Sequence, residues 1–141
     1  MGDTVGPEEL GMRFLTLSHR VRRVVDDRMA DGGLSLARTK LLQVLAEQGP
    51  TRQSSLALQL GFAARTVTEA VDGLERDGLV ERSPDPTDRR AKLVNITDAG
   101  NTAFIAASRA GGQVLRDIFG VLAGDERETL AGLLELIDRA T

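Results

Sequence analysis

Three cations stand within four residues beyond the middle of the chain, in the run Asp88-Arg89-Arg90-Ala91-Lys92. Just upstream, Ser83-Pro84-Asp85-Pro86-Thr87 is a turn-forming segment stiffened by two prolines. An arginine on a narrow projecting loop suits the minor groove of DNA, where the potential is most negative. Asp88 can pair with such an arginine and orient its guanidinium. An ordinary solvated hairpin is the other reading of the same run, with Asp85 and Asp88 offsetting part of its charge.

A second set lies on residues 63–77. Phased at about 100° per residue, Val67, Ala70, Val71 and Leu74 share one face of a helix. Arg65, Glu69, Asp72 and Arg76 gather on the opposite side, with Thr66 and Thr68 at the flanks. In a major groove an arginine reads guanine, and a threonine meets a thymine methyl or a phosphate. Gly73 could let a backbone approach. The alternative is a solvated face laced with charge pairs, and Asp72 with Arg76, four apart, fits it.

Other chemistry lacks its residues. There is no cysteine, so no disulfide, thiolate nucleophile or thiolate metal site can form. The single histidine, His19, cannot build a zinc site alone. No glycine-rich phosphate loop, Ser/His/Asp set or metal-ligand spacing is present, so neither an enzyme nor a bound cofactor or metal is expected.

Both cationic sets need elements to position them. Leu10, Phe14, Leu17, Val21 and Val24 recur at steps of four and three, which predicts a long first helix ending at Asp31-Gly32-Gly33. Ser35 can cap a second helix carrying Leu41, Leu42, Val44 and Leu45, stopped by Gly49-Pro50. Thr51 is a good N-cap for a short helix with Leu56, Leu58 and Leu60, ended by Gly61. With the helix starting near Ala63 or Ala64, this makes a helix-turn-helix pattern. Leu79–Arg82 and the alternating residues 92–96 predict a β-hairpin directly behind it. Thr97 can cap a further helix, in which Gly111-Gly112 predicts a kink. Leu130, Leu133, Leu134 and Ile137 stripe a last helix.

At 141 residues, 41% apolar and 28% charged, the chain has the size and composition of one soluble domain. No signal peptide or membrane-length apolar run is visible, so a cytoplasmic location is expected. Net charge is −3, which by itself gives no hint of a nucleic-acid partner. The charge is uneven, however. Residues 1–50 and 51–97 each balance seven bases against seven acids, and residues 98–141 hold four against seven. The apolar faces at the two chain ends are not needed to close a winged helix of about 60 residues, which points to a shared dimer interface. Packing of the terminal helices on each other within one chain is the alternative.

The run from Gly78 to Ala91, followed by Asn95-Ile96-Thr97-Asp98-Ala99-Gly100, resembles the wing signature of the MarR family of bacterial transcription regulators. Arg65-Thr66-Val67-Thr68 with Val71-Asp72-Gly73-Leu74-Glu75 resembles that family's recognition helix. The resemblance implies a mainly α fold with a small β-hairpin wing. It divides the chain into a dimerisation helix at 1–34, a winged helix-turn-helix at 35–97 and closing dimerisation helices at 98–141. It implies a homodimer, expected to be a repressor, on a pseudo-palindromic operator. The recognition helix near 63–77 would lie in the major groove and the wing near 82–93 in the minor groove. The contacts it implies are Arg65, Thr66 and Thr68 on the helix, Arg90 in the minor groove, Arg89 near phosphate and Asp88 as orienting partner. The interface would use Leu10, Phe14 and Leu17 with Leu130, Leu133, Leu134 and Ile137. A small aromatic or phenolic effector is implied at the junction of helices and winged region, where His19 is a candidate contact, and a surface or interface histidine is the alternative. Two positions depart from the family pattern: Ala63 replaces a capping serine, and Glu69 stands where a basic or neutral residue is common. A winged-helix protein-interaction module that does not bind DNA is the competing reading, and Glu69 is its best support.

Overall fold

The computed structural model describes residues 2–141. Its helices are α1 (Pro7–Asp31), α2 (Leu36–Gln48), α3 (Gln53–Leu60), α4 (Ala64–Arg76), α5 (Asp98–Phe119) and α6 (Gly124–Arg139). Three short strands, β1 (Thr51–Arg52), β2 (Val80–Pro84) and β3 (Lys92–Ile96), form an antiparallel sheet of order β1-β3-β2. The fold is mainly helical with a β-hairpin wing, as the periodicity and the change to alternation predict.

Local chemistry sets most boundaries. Pro7 opens α1, and Glu8 and Glu9 sit in its first turn, where the exposed N–H groups favour acids. The Ser35 hydroxyl accepts from the Arg38 amide at 3.2 Å, and the Thr97 hydroxyl accepts from the Gly100 amide at 3.0 Å. Both caps are the expected ones. Gly61 closes α3 in the left-handed region at φ 66°, which makes the tight turn into α4.

The Thr51 cap is not formed. Thr51 pairs with Val94 as part of β1, and its hydroxyl donates back to the Gly49 carbonyl at 2.8 Å. Arg52 takes the cap position of α3 without a side-chain bond. The apolar hairpin strand β3 recruits the segment before α3, and pairing across the sheet outweighs a local cap.

The core sits where α2, α3, α4 and the sheet meet. Leu41, Leu42 and Leu45 of α2 pack with Leu56, with Val67, Val71 and Leu74 of α4, and with Val80 and Val94 of the wing, all with almost no exposure. Leu58 departs from expectation: it is 85% exposed, because α3 turns only one side to this core. From α1 the core takes Val25 and Met29, and Val24 of the predicted seam faces out. Gly111-Gly112 produces no break, since α5 runs unbroken across it. A β-carbon on Gly111 would lie 2.9 Å from the Met29 sulfur, so this glycine serves the close approach of α5 to α1.

The chain ends are different. Leu10, Phe14 and Leu17 of α1 and Leu133, Leu134 and Ile137 of α6 are exposed, Leu130 is half-buried, and α6 buries no residue. Among the described residues no helix is long and apolar enough to cross a membrane.

Leu42→Ala should remove about 2–5 kcal/mol of stability, as truncation in a closed core does. Leu58→Ala should stay within about 0.5 kcal/mol. Urea denaturation at equal slope separates the two.

Candidate nucleic-acid interface

α4 is buried on one side only. Val67, Val71, Gly73 and Leu74 are covered, while Arg65, Thr66, Thr68, Glu69, Asp72 and Arg76 are exposed. The Arg65 side chain is 90% exposed, and its Nε donates to Glu69 Oε1 at 3.2 Å, one helical turn on. Thr68 is tied more firmly: its hydroxyl donates to the Ala64 carbonyl at 3.0 Å and accepts from Gln53 Nε2 at 2.8 Å. Thr66 is exposed in the first turn beside them.

The Asp72–Arg76 pair that the alternative reading of this face would use does not form. Asp72 instead accepts from Arg82 Nη2 at 2.6 Å, while Arg82 Nη1 donates to Glu75 at 3.0 Å. Nη2 also donates to Gln53 Oε1 at 3.3 Å. Arg82 lies on β2, and its side chain is 16% exposed. A half-withdrawn guanidinium with several acceptors wins over a solvated pair on one helix, because partial burial strengthens each bond. One cation of the wing therefore ties β2 to α4 and α3. Gly73 does not admit an outside backbone: the space beside it is filled by the Arg38 guanidinium.

The wing loop is built on a second arginine with partners inside the chain, the partly exposed Arg52. Arg52 Nε donates to Asp85 Oδ2 at 2.6 Å, and Arg52 Nη2 donates to the Thr87 hydroxyl at 3.3 Å. Asp85 Oδ1 accepts from both the Thr87 amide and hydroxyl at 2.8 Å, and the Asp85 amide donates to the Ala91 carbonyl at 3.1 Å. Asp85 is only 6% exposed. The Thr87 amide, then its hydroxyl, and further the Arg52 guanidinium hold its carboxyl down at about 2 against the opposing pull of burial.

Asp85 thus does not offset the charge of the tip, since Arg52 neutralises it from below. Asp88 does not orient a guanidinium either. Its Oδ1 accepts the Arg90 backbone amide at 3.0 Å, which closes the turn. Arg89, Arg90 and Lys92 are exposed and, among the described residues, none forms an ion pair. A cleft of about 400 Å³ runs between Arg90, Ala91 and Lys92 on the wing side and Arg52, Gln53 and Ser54 at the start of α3.

Sequence reasoning missed Arg52, Arg82 and Gln53. Each acts through partners about 10 to 35 positions away, except for the Arg82–Glu75 bond at 7. The Asp85-Pro86-Thr87 turn was the one available local signal.

The model of the MarR family matches residues 34–92, from just before α2 to the first residue of β3. A helix-turn-helix-type transcriptional regulator from Mycobacterium leprae is 30% identical over 125 residues, 86% of this chain and 87% of that one. The chain belongs to the MarR family. Among solved structures, a MarR-family transcriptional regulator from Rhodococcus sp. RHA1 superposes with a TM-score of 0.82 over 99% of both chains at 23% identity, and it shares the fold. A cysteine-to-serine mutant of MarR from E. coli, solved with operator DNA, superposes with a TM-score of 0.80 over 91% of this chain and 92% of that one at 25% identity. Across eight relatives at 27% to 33% identity, the matched stretch is 54% to 87% of the relative's length. The protein is a winged helix-turn-helix transcriptional regulator of the MarR family.

Asp85 titrates near 2 when folded, against 3.8 ordinarily. A lowered carboxylate stabilises the wing fully above its unfolded value, and the contribution is lost as pH falls through its folded value. The Thr87 amide resonance should therefore titrate with a midpoint near pH 2. Asp85→Asn should abolish that titration.

Proposed function

We propose that the protein is a homodimeric repressor of a pseudo-palindromic operator, with α4 in the major groove and the loop between β2 and β3 in the minor groove. One observation carries this: the cations of the winged region are sorted. Arg52 and Arg82 are spent on internal acceptors, and Arg89, Arg90 and Lys92 are left bare on the projecting tip. Arg65, Thr66 and Thr68 supply the major-groove face, Arg90 the minor-groove contact and Arg89 a phosphate contact. Asp88 fixes the turn that aims them. Glu69 keeps Arg65 from binding phosphate indiscriminately and favours selective, modest affinity.

The division into 1–34, 35–97 and 98–141 follows the same lines. The uncovered stripes of α1 and α6 support a second copy as their cover, since a monomer would leave Leu10, Phe14, Leu17, Leu133, Leu134 and Ile137 in water. A cleft of about 450 Å³ lies between α1, α2, α5 and α6, walled by Leu17, Val21, Leu36, Phe119 and Leu134 with Arg22 and Lys40 at hand, so it adjoins the stripe that a second copy would cover. An apolar wall beside two cations suits a small aromatic or phenolic acid as effector. His19, exposed on α1, is not among the residues that line it. Relatives that are transcriptional regulators support a regulator rather than an enzyme, and a DNA-binding role implies the cytoplasm.

Binding to duplexes selected from a random library should weaken steeply with salt. Arg89→Ala should flatten the slope of log K against log salt by about 0.9, the loss of one neutralised phosphate, and Arg90→Ala should weaken binding at every salt concentration. Arg65→Ala should cost about 1–3 kcal/mol and relax preference at one base position. If no duplex is retained at low salt, the winged region serves a protein partner instead. Sedimentation should give twice the chain mass, and Ile137→Glu should give the monomer.

A further inference from the structure

α4 is gripped on both shoulders. With Val67 at zero and about 100° per residue, Arg65, Glu69 and Arg76 lie within about 20° of the pole opposite the buried stripe. Asp72 and Glu75 fall about 80–140° to one side, and Gly73 and Asp77 about 80–120° to the other. Arg82 reaches from β2 to Asp72 and Glu75 at 2.6 and 3.0 Å. On the far side Arg38 reaches from α2, and its Nη1 donates to Asp77 Oδ2 at 3.5 Å. The Arg38 head occupies the space a side chain at 73 would need. Its Cζ lies 2.8 Å from where a β-carbon on Gly73 would sit, and Nη2 is closer still.

We infer that Arg38, seated on Gly73, is a positioning residue that sets the roll of α4 about its own axis and hence which bases it reads. The apolar stripe alone cannot do this, because burial is non-directional and tolerates rotation. A roll of about 10° carries a side-chain tip about 6 Å from the axis through about 1 Å, enough to break hydrogen bonds to base edges. Arg82 resists rotation one way only. Arg38 supplies the opposing stop, and it needs a planar head over a residue with no β-carbon.

This rests on the DNA-binding proposal, so the test separates the two. The readout is the ratio of Kd for a shuffled duplex to Kd for the duplex the wild-type chain selects, with the salt slope measured alongside. Gly73→Ala is the cleaner variant. In a helix interior that exchange ordinarily stabilises, and the displaced group is the flexible end of Arg38, so the fold stays. Gly73→Ala and Arg38→Ala should each lower the ratio about tenfold, leaving shuffled-duplex affinity and salt slope within about twofold. The double variant should be no worse than Arg38→Ala, since both remove the same interaction. Circular dichroism checks the fold; if Arg38→Ala melts below the assay temperature, Gly73→Ala alone decides. A wild-type ratio near one overturns the DNA proposal and this inference with it. A wild-type preference that either folded variant keeps, or losses that add in the double variant, overturns this inference alone.

Discussion

A helix that reads another molecule has to be held by one side and left bare on the other. α4 meets that constraint with a narrow apolar stripe, Val67, Val71 and Leu74, pressed into a core supplied by α2, α3 and the two hairpin strands. Everything nearby follows from it. Leu41, Leu42 and Leu45 face the stripe, and Val80 and Val94 close the core from the wing side. Arg82 then fastens the flank with bonds that a solvated pair on α4 itself could not match.

Electrostatics in this protein is decided by position more than by count. Residues 51–97 are neutral in sum, seven bases against seven acids. Their acids Asp72, Glu75, Asp77 and Asp85 accept from arginines on other elements. Those acids no longer oppose the bases at the tip, where Arg89, Arg90 and Lys92 stand free. The acid excess of residues 98–141 lies mainly on α6 and its approach, away from the wing.

Much of this was legible in the sequence because it is local. Apolar spacing gives α2 and α4, Ser35 and Thr97 mark helix starts, and alternation marks β3. What was not legible depends on partners far along the chain. Thr51 reads as a cap until β3 claims it as a strand neighbour. Leu58 reads as core by type, but α3 has a covered side only where Leu56 points. Gly111 looks like a weak point in α5 until Met29 is seen to lie against it. Asp88 reads as the partner of an arginine guanidinium, but its carboxylate accepts the Arg90 backbone amide instead. Arg52 and Arg82 carry no local mark that separates them from Arg89 and Arg90.

β1 is two residues long, yet it pairs with β3 at its buried Val94 and so welds the root of the wing to the start of α3. The hairpin therefore cannot flap on a private hinge. Its tip and the helix-turn-helix travel as one rigid body, like the jaw of a caliper. In the proposed dimer the distance between two such jaws would be governed at the other end of the molecule, by how the uncovered stripes of α1 and α6 pack on a second copy. Adjustment to a target belongs to the frame, and at the tip Pro86, Arg89 and Arg90, exposed and with no side-chain bond to the residues beneath, are open to exchange, whereas Thr87 and Asp88 hold the turn.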